Sequence, residues 1–231
     1  MANLTLVIGN KNYSSWSLRP WLALRVAGIA FDEVRIPLYL DGSRERILAY
    51  SPAGKVPVLV TPDGPVWESL AICEWAAEHF PDRGLWPHAA AARAHARAAC
   101  AEMHAGFSHL RREMPMNLRG HYPGEGMTPE VARDVARIEV LWSEARSRFG
   151  AGGPFLYGAF SIADAFFAPV ATRFVTYCVA LGAEAQRYVA ALRALPALAE
   201  WYRDAERETE VIPHCEPDRA RSQAAGAQAA R

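Results

Sequence analysis

Hydrophobic and polar positions follow two different patterns on either side of about residue 82. In the first part, short apolar or alternating runs mark strands, and apolar positions at helical spacing lie between them. The pattern predicts the order β-α-β-α-β-β-α. The first two strands lie at 4–8 and 31–38, the third ends at Val60 and the fourth starts at Val66, and the helices lie at 17–28, 43–50 and 68–80. A βαβ opening followed by a hairpin and a helix indicates an α/β domain.

The second part shows helical spacing only. Its predicted helices lie at 89–113, from Thr128 to about Phe149, from Ser161 onward, and near 185–194 and 197–208. Thr128 before Pro129 is a cap followed by an N1 proline, and Ser161 with Asp164 forms a capping-box-like start. The helix that begins at Ser161 is apolar on nearly all sides, so we expect it at the centre of the core, with a kink at Pro169. The predicted boundaries are an α/β domain at 1–82, a linker at 83–88, an all-helical domain at 89–215 and a disordered tail at 216–231.

Composition excludes several classes of protein. The chain of 231 residues is 51% hydrophobic and 22% charged, with a formal net charge of zero, which suits a globular protein rather than a general nucleic-acid binder. No apolar run approaches the ~20 residues of a membrane-spanning helix, and the first residues lack the features of a signal peptide. We therefore expect a cytoplasmic protein with neither nucleic acid nor membrane as a partner.

The cysteines and histidines do not form a recognisable metal or redox motif. Cys73, Cys100, Cys178 and Cys215 are far apart, which predicts reduced thiols rather than disulfides or a zinc site. The first three lie in apolar helical patterns, so we expect them to be packed in the core. The histidines, His104 among them, have no metal-ligand spacing and are expected at the surface or in packing roles.

A serine-rich loop carries the first candidate chemistry. The sequence from Tyr13 to Pro20 reads YSSWSLRP and lies where the first strand passes into the first helix. A hydroxyl beside a helix N-terminus can stabilise an anion such as a thiolate, but serine is also a preferred N-cap. Because proline fits the first helical turn, Pro20 favours a helix that starts at Ser17 and leaves Ser14 and Ser15 in the loop.

Two further motifs lie at strand and helix ends. In Val56-Pro57, a cis peptide bond would turn the Val56 backbone toward solvent or a ligand, although trans is the default. In Glu68-Ser69, at a helix start, the side chains suit either the cap and helix dipole or the ammonium and carboxylate of a ligand.

Taken together, these motifs resemble the glutathione S-transferase family up to about residue 210. The resemblance rests on SPAGKVPVL at 51–59, ESLAI at 68–72 and SIAD at 161–164, and the loop SSWSLR at 14–19 is similar to the Ser-Ser-Cys-Ser-Trp-Arg loop of the zeta class. It implies a thioredoxin-like α/β N-terminal domain followed by an all-α C-terminal domain. The chain departs from the zeta loop at Trp16, which replaces the cysteine.

The resemblance also implies roles for individual residues. Ser14, with Ser15 as the alternative, would hydrogen-bond the sulfur of glutathione. The remaining expected glutathione contacts are Lys55, Val56, Glu68 and Ser69, and the expected acceptor pocket comprises Trp16, Met114, Met116 and Asn117. No metal is implied.

The function implied is that of an enzyme, a glutathione transferase in which a serine hydroxyl activates the thiolate for attack on a small hydrophobic electrophile. The same resemblance implies a role in detoxification and assembly into a homodimer. Two alternatives remain open: a glutathione-dependent isomerase or dehalogenase of the zeta-like type, and a glutathione-binding stress or interaction protein with little catalysis. The Trp16 departure places isomerisation of maleylacetoacetate in question.

Overall fold

The computed structural model describes residues 4–216, and its first part is built on a four-stranded mixed sheet. The strands are β1 (Thr5–Ile8), β2 (Asp32–Arg35), β3 (Val58–Thr61) and β4 (Gly64–Trp67), in the spatial order β2-β1-β3-β4. β1 runs parallel to β2 and antiparallel to β3, and β3 and β4 form a hairpin. The helices of this part are α1 (Ser15–Val26), α2 (Ser43–Leu48) and α3 (Ser69–His79).

The sheet is covered on both faces because its central strand is apolar on both faces. Leu6 and Ile8 point into the main core, whereas Val7 points to the opposite face and packs in a smaller cluster with Ile47 of α2. All three strand residues are fully buried. A short run without polar positions is therefore sufficient to place β1 between two helical layers.

Helices make up the second part. They are α4 (Ala90–Ala105), α5 (Ser108–Glu113), α6 (Pro129–Phe149), α7 (Ile162–Thr176), α8 (Ala183–Arg193) and α9 (Pro196–Glu206). α7 is buried along nearly its whole length and packs against both α1 and α4, so it joins the two parts of the molecule. The predicted combination of an α/β first part and an all-helical second part is confirmed.

The start of α7 is fixed by the carboxylate of Asp164. One oxygen accepts from the backbone N–H (2.8 Å) and the hydroxyl (3.0 Å) of Ser161, and the other from Leu156 N–H and the Tyr188 hydroxyl, both at 3.0 Å. Burial raises the pKa of Asp164 to about 6. The predicted pairing of Ser161 with Asp164 is thus present, and two more donors join it from elsewhere in the chain.

Three sequence predictions need correction. α1 begins at Ser15 rather than at residue 17, and Pro20 lies inside the helix, because Ser14 itself is the N-cap. The predicted helix 89–113 is broken at Gly106, since Phe107 adopts a left-handed conformation (φ 55°) and buries its side chain. Cys178 is exposed rather than packed, because it follows the last residues of α7.

The chain after α9 returns to the loop that follows β1. The Glu208 carboxylate accepts from the backbone N–H groups of Lys11 (2.6 Å) and Asn12 (3.0 Å). Arg119 donates to the carbonyl oxygens of Glu208 and Glu210. Glu216 accepts from three side chains, those of Tyr13, Asn117 and Tyr122. Only Glu216 of the tail predicted at 216–231 lies within the described residues.

Replacing Glu208 with alanine is expected to loosen the loop ahead of Ser14. The two backbone N–H groups lose their buried acceptor, so hydrogen exchange at Lys11 and Asn12 should accelerate at least about tenfold, as for the loss of ~1.5 kcal/mol of local protection. Exchange measured by NMR or mass spectrometry on the 10–13 segment checks this, with Glu206→Ala on the exposed end of α9 as the control. Unchanged exchange in Glu208→Ala would contradict the anchoring role.

Among the helices of residues 4–216, none combines the length and apolar character needed to cross a membrane.

Candidate functional site

A pocket of about 640 Å³ opens at the N-terminus of α1, between the sheet domain and α4. We call it the serine pocket. Five of the residues predicted for the site line it: Ser14, Trp16, Lys55, Val56 and Glu68. Three separate motifs of the sequence therefore meet at one cavity.

Ser14 caps α1 and lines the pocket at the same time. Its Oγ accepts a hydrogen bond from the backbone N–H of Ser17 at 3.3 Å, and the two side-chain oxygens of Ser14 and Ser17 lie 2.8 Å apart. The cap and the functional interpretation of this serine are thus compatible rather than alternatives. The Ser17 hydroxyl also accepts from the backbone N–H of Gly9 at 3.1 Å, which fixes its position behind Ser14.

Ser15 faces a different environment. It is the first residue of α1, is buried, and its Oγ accepts from Nη2 of Arg173 on α7 at 3.3 Å. The Ser15 side chain does not line the serine pocket. Of the two serines left open by the sequence, the structure brings Ser14 to the cavity.

Val56 and Lys55 line the pocket just ahead of β3. The Val56–Pro57 peptide bond is cis, the less common of the two forms that the sequence left open.

Glu68 lines the pocket, whereas Ser69 does not line it and follows Glu68 as the first residue of α3. Glu68 is the N-cap residue of α3, with a positive φ of 70°, and its side chain is half exposed. Ser69 is fully buried, and its Oγ has no hydrogen-bond partner among the described residues. A buried hydroxyl without a partner is uncommon and costs free energy, so it is a group that a ligand could satisfy.

Met114, Met116 and Asn117 do not reach the serine pocket, and their predicted place in it has to be corrected. The two methionines are buried in the main core. Asn117 accepts from the Asn12 amide at 3.0 Å and donates to Tyr122 and Glu216, behind the serine loop. The tertiary structure turns this segment toward the loop after β1 rather than toward the cavity.

Several pocket residues carried no signal in the sequence. Tyr39 and Arg44 come from the segment between β2 and the end of α2, and His104 comes from α4. Periodicity places His104 on a helix but does not reveal that this face of α4 closes the cavity. Only the packing of the helical part against the sheet domain reveals that.

Trp16 is surrounded by cationic and aromatic groups. The guanidinium carbon of Arg19 lies 4.3 Å from its ring centre and that of Arg111 5.4 Å away, while the imidazole of His104 meets the ring edge-on at 5.1 Å. Such contacts hold the indole in one orientation. Trp16 is therefore a fixed wall of the serine pocket.

Arg19 places a positive charge against the ring of Trp16. The residue is 1% exposed, and Nε and Nη1 have no hydrogen-bond partner among the described residues. Burial, together with the charges of Arg173 and Arg111, lowers its pKa to about 9, so it remains protonated at neutral pH. An uncompensated cation next to the cavity favours an anion inside it.

Within residues 4–216, no group of three or more histidine, cysteine or acidic side chains is arranged to hold a metal ion.

Comparison with known proteins identifies the family. A model described as glutathione S-transferase, N-terminal domain, matches residues 13–79, and one described as glutathione S-transferase, C-terminal domain, matches residues 87–204. The chain belongs to the glutathione S-transferase family. The two matches fall on the sheet part and the helical part described above, and they make the protein an enzyme of the glutathione transferase type.

Individual relatives are more distant. A probable maleylacetoacetate isomerase from Caenorhabditis elegans is 26% identical over 156 residues, which cover 66% of this chain and 73% of that protein. Elongation factor 1-gamma 2 from rice (Oryza sativa subsp. japonica) is 31% identical over 136 residues, covering 58% of this chain and 30% of that protein. A crystal structure of a glutathione transferase homologue from Burkholderia, with bound glutathione, has a TM-score of 0.66 at 21% identity and covers 90% of this chain and 100% of that one.

Proposed function

We propose that the serine pocket binds glutathione and that the Ser14 hydroxyl stabilises its thiolate for attack on a hydrophobic electrophile. The observation that carries this proposal is the convergence of Ser14, Val56 and Glu68 on one cavity in a chain of this family. The glutathione bound in the Burkholderia homologue supports the choice of ligand.

The hydrogen bonds around Ser14 are compatible with a donor role. Ser14 Oγ and Ser17 Oγ lie 2.8 Å apart, either can be the donor, and Ser17 Oγ also accepts from the Gly9 N–H. When Ser17 is the donor, Ser14 Oγ accepts from the Ser17 hydroxyl and from the Ser17 N–H, and its own O–H is free to donate into the pocket. A hydroxyl that accepts two hydrogen bonds is a stronger donor, which suits stabilisation of a sulfur anion.

Chemically, the thiol of free cysteine has a pKa of about 8.5, so little thiolate exists at neutral pH. Donation by Ser14, the N-terminus of α1 and the buried charge of Arg19 all favour the ionised form. The thiol proton passes to solvent, the sulfur lone pair forms the new bond to carbon, and a leaving group departs with its bonding electrons. This step requires no metal.

The rest of glutathione has matching groups around the cavity. Its glutamyl ammonium would pair with Glu68, and its glutamyl carboxylate would accept from the free Ser69 hydroxyl at the start of α3. The cysteinyl backbone would pair with Val56. Lys55, joined by Arg44 from α2, would hold the glycyl carboxylate, since both cations line the pocket.

The acceptor side of the pocket is proposed to lie against Trp16. A small hydrophobic electrophile would pack on this ring, which is fixed by Arg19 and Arg111. Detoxification of such compounds in the cytoplasm, by a homodimer, completes the proposal on the strength of the family.

Trp16→Ala is expected to change the acceptor preference without changing glutathione binding. Losing the ring removes a stacking surface worth ~0.5–1.5 kcal/mol, so KM for flat aromatic electrophiles should rise about threefold to tenfold. Steady-state kinetics with aromatic and aliphatic electrophiles measure this, and the KM for glutathione serves as the internal control. An equal loss with every electrophile would contradict a specific acceptor role for Trp16.

A second candidate function follows from the isomerase relative. Glutathione-dependent isomerisation would use the same thiolate, adding it to the substrate and releasing it again unchanged.

The similarity to elongation factor 1-gamma 2 instead favours a glutathione-binding interaction protein with little catalysis. A panel of conjugation, isomerisation and dehalogenation substrates separates these, and tight glutathione binding without any turnover would favour the interaction role.

Titration of bound glutathione tests the central proposal. The ultraviolet absorbance of the thiolate, followed against pH in the saturated protein, should show a thiol pKa below that of free glutathione. Absence of glutathione binding at pH 7.5 would refute the proposed function.

A further inference from the structure

The imidazole of His104 has unused hydrogen-bonding capacity beside Glu68. Its Nε2 lies 3.7 Å from Oε2 of Glu68, which is too long for a hydrogen bond. Its Nδ1 is buried and has no partner among the described residues. A polar ring that lines the cavity without hydrogen-bonding any described group is available to a ligand.

Charged groups on three elements surround this ring. Arg19 of α1 and Arg111 of α5 are positive, and Glu68 at the start of α3 is negative. Burial and the two guanidinium groups lower the pKa of His104, and the opposing effect of Glu68 does not offset them. The imidazole is therefore neutral at neutral pH, and one of its nitrogens is a hydrogen-bond acceptor.

Two acceptors 3.7 Å apart at the edge of a pocket can be bridged by one ammonium group, which carries N–H donors in several directions. We propose that His104 Nε2 and the Glu68 carboxylate together bind the glutamyl ammonium of glutathione. This inference rests on the proposed binding of glutathione and adds to it a binding residue from the helical part of the chain.

Protonation of His104 would oppose this binding. The imidazolium has no acceptor at Nε2, repels the ammonium, and forms an ion pair with Glu68 that occupies the carboxylate. Because the pKa of His104 is lowered, the effect develops below pH 6.5, the ordinary value for histidine. Bound ammonium in turn lowers the pKa of His104 further, since linkage is reciprocal.

The dissociation constant of S-methylglutathione, which has no thiol to titrate, tests the inference when it is measured by calorimetry from pH 7.0 down to pH 5.0. The carboxylates and the amine of this analogue do not change charge substantially over that range. We expect the wild-type affinity to fall about tenfold on acidification, the loss of one hydrogen bond to a charged group. His104→Gln keeps an acceptor that does not titrate and should bind with little change across the range, whereas His104→Leu should bind about tenfold more weakly at every pH.

Two controls isolate the ammonium. His88→Gln alters an exposed histidine of the linker and should reproduce the wild-type pH profile. N-acetyl-S-methylglutathione has neither an ammonium nor a thiol, and its affinity for the wild-type protein should not fall on acidification. By NMR, the pKa of the His104 ring should decrease when glutathione is added, a shift that a merely structural histidine would not show.

The possible outcomes separate this inference from the proposed function. Binding of S-methylglutathione that weakens equally on acidification in wild type and His104→Gln would overturn the role of His104 and leave the proposed function standing. The same conclusion follows if N-acetyl-S-methylglutathione shows the wild-type acid weakening. Absence of glutathione binding at pH 7.5 in both wild type and His88→Gln would refute the proposed function, and this inference with it.

Discussion

Ser14→Ala is expected to lower kcat/KM for glutathione conjugation about 10²–10³-fold, the usual loss on removing a donor aimed at a reacting anion. Ser14 is the serine of this loop that lines the pocket, and its hydroxyl can donate into the pocket when Ser17 donates to it. Without it, the pKa of the bound thiol should rise toward ~8.5. Stopped-flow or steady-state kinetics and the ultraviolet titration of the bound thiolate measure the two effects.

Matched variants separate catalysis from capping. Because Ser14 also caps α1, its alanine variant should lose ~1 kcal/mol of stability, whereas Ser14→Gly loses only a few tenths. A glycine variant that is stable but equally inactive would assign the effect to the hydroxyl. Ser15→Ala should keep near wild-type kinetics, since that side chain faces Arg173. Unchanged turnover and thiol pKa in Ser14→Ala would refute the serine assignment.

Asp164→Asn is expected to destabilise the fold by ~3–5 kcal/mol, as for loss of one partner in a buried charged network. Each carboxylate oxygen accepts two hydrogen bonds. One oxygen accepts from the backbone N–H and the hydroxyl of Ser161, and the other accepts from the Leu156 N–H and the Tyr188 hydroxyl. An amide must place its NH₂ against one of these donor pairs, so the nearly isosteric change leaves donors facing donors. The expected fall in Tm is roughly 10 °C for a chain of this size.

Single-donor variants calibrate this prediction. Tyr188→Phe removes one of the four hydrogen bonds and should cost only ~1 kcal/mol. Thermal melting of both variants, followed by circular dichroism, gives the comparison. If Asp164→Asn melted within about 2 °C of Tyr188→Phe, the carboxylate would not be the centre of the network.

Features set by neighbouring residues could be predicted from the sequence. The apolar run of β1, the Thr128 cap before Pro129 and the pairing of Ser161 with Asp164 all involve groups within a few positions of one another. Their geometry depends on local backbone and capping preferences, which the residue types alone express. The order of strands and helices follows from the same local patterns.

The prediction that α1 starts at Ser17 was wrong because a tertiary contact outweighs a local preference. Pro20 fits a first helical turn, and that preference pointed to Ser17 as the cap. In the structure Ser17 Oγ instead accepts from Gly9 at the end of β1 and lies against Ser14, so the contact between strand and helix decides which serine is the cap. The preference of proline for the first helical turn is weak, and this tertiary contact outweighs it.

The fold class, the family motifs and three segments that line the serine pocket can be identified from the sequence alone; the segments are the serine loop with Ser14 or Ser15, Val56 and Glu68. Packing between distant elements is what brings His104 of α4 opposite Glu68, keeps Met116 out of the pocket and places Glu208 against the Lys11–Asn12 backbone. These contacts join residues 36 to 197 positions apart along the chain. They depend on how whole helices pack against the sheet, which periodicity along one element does not encode.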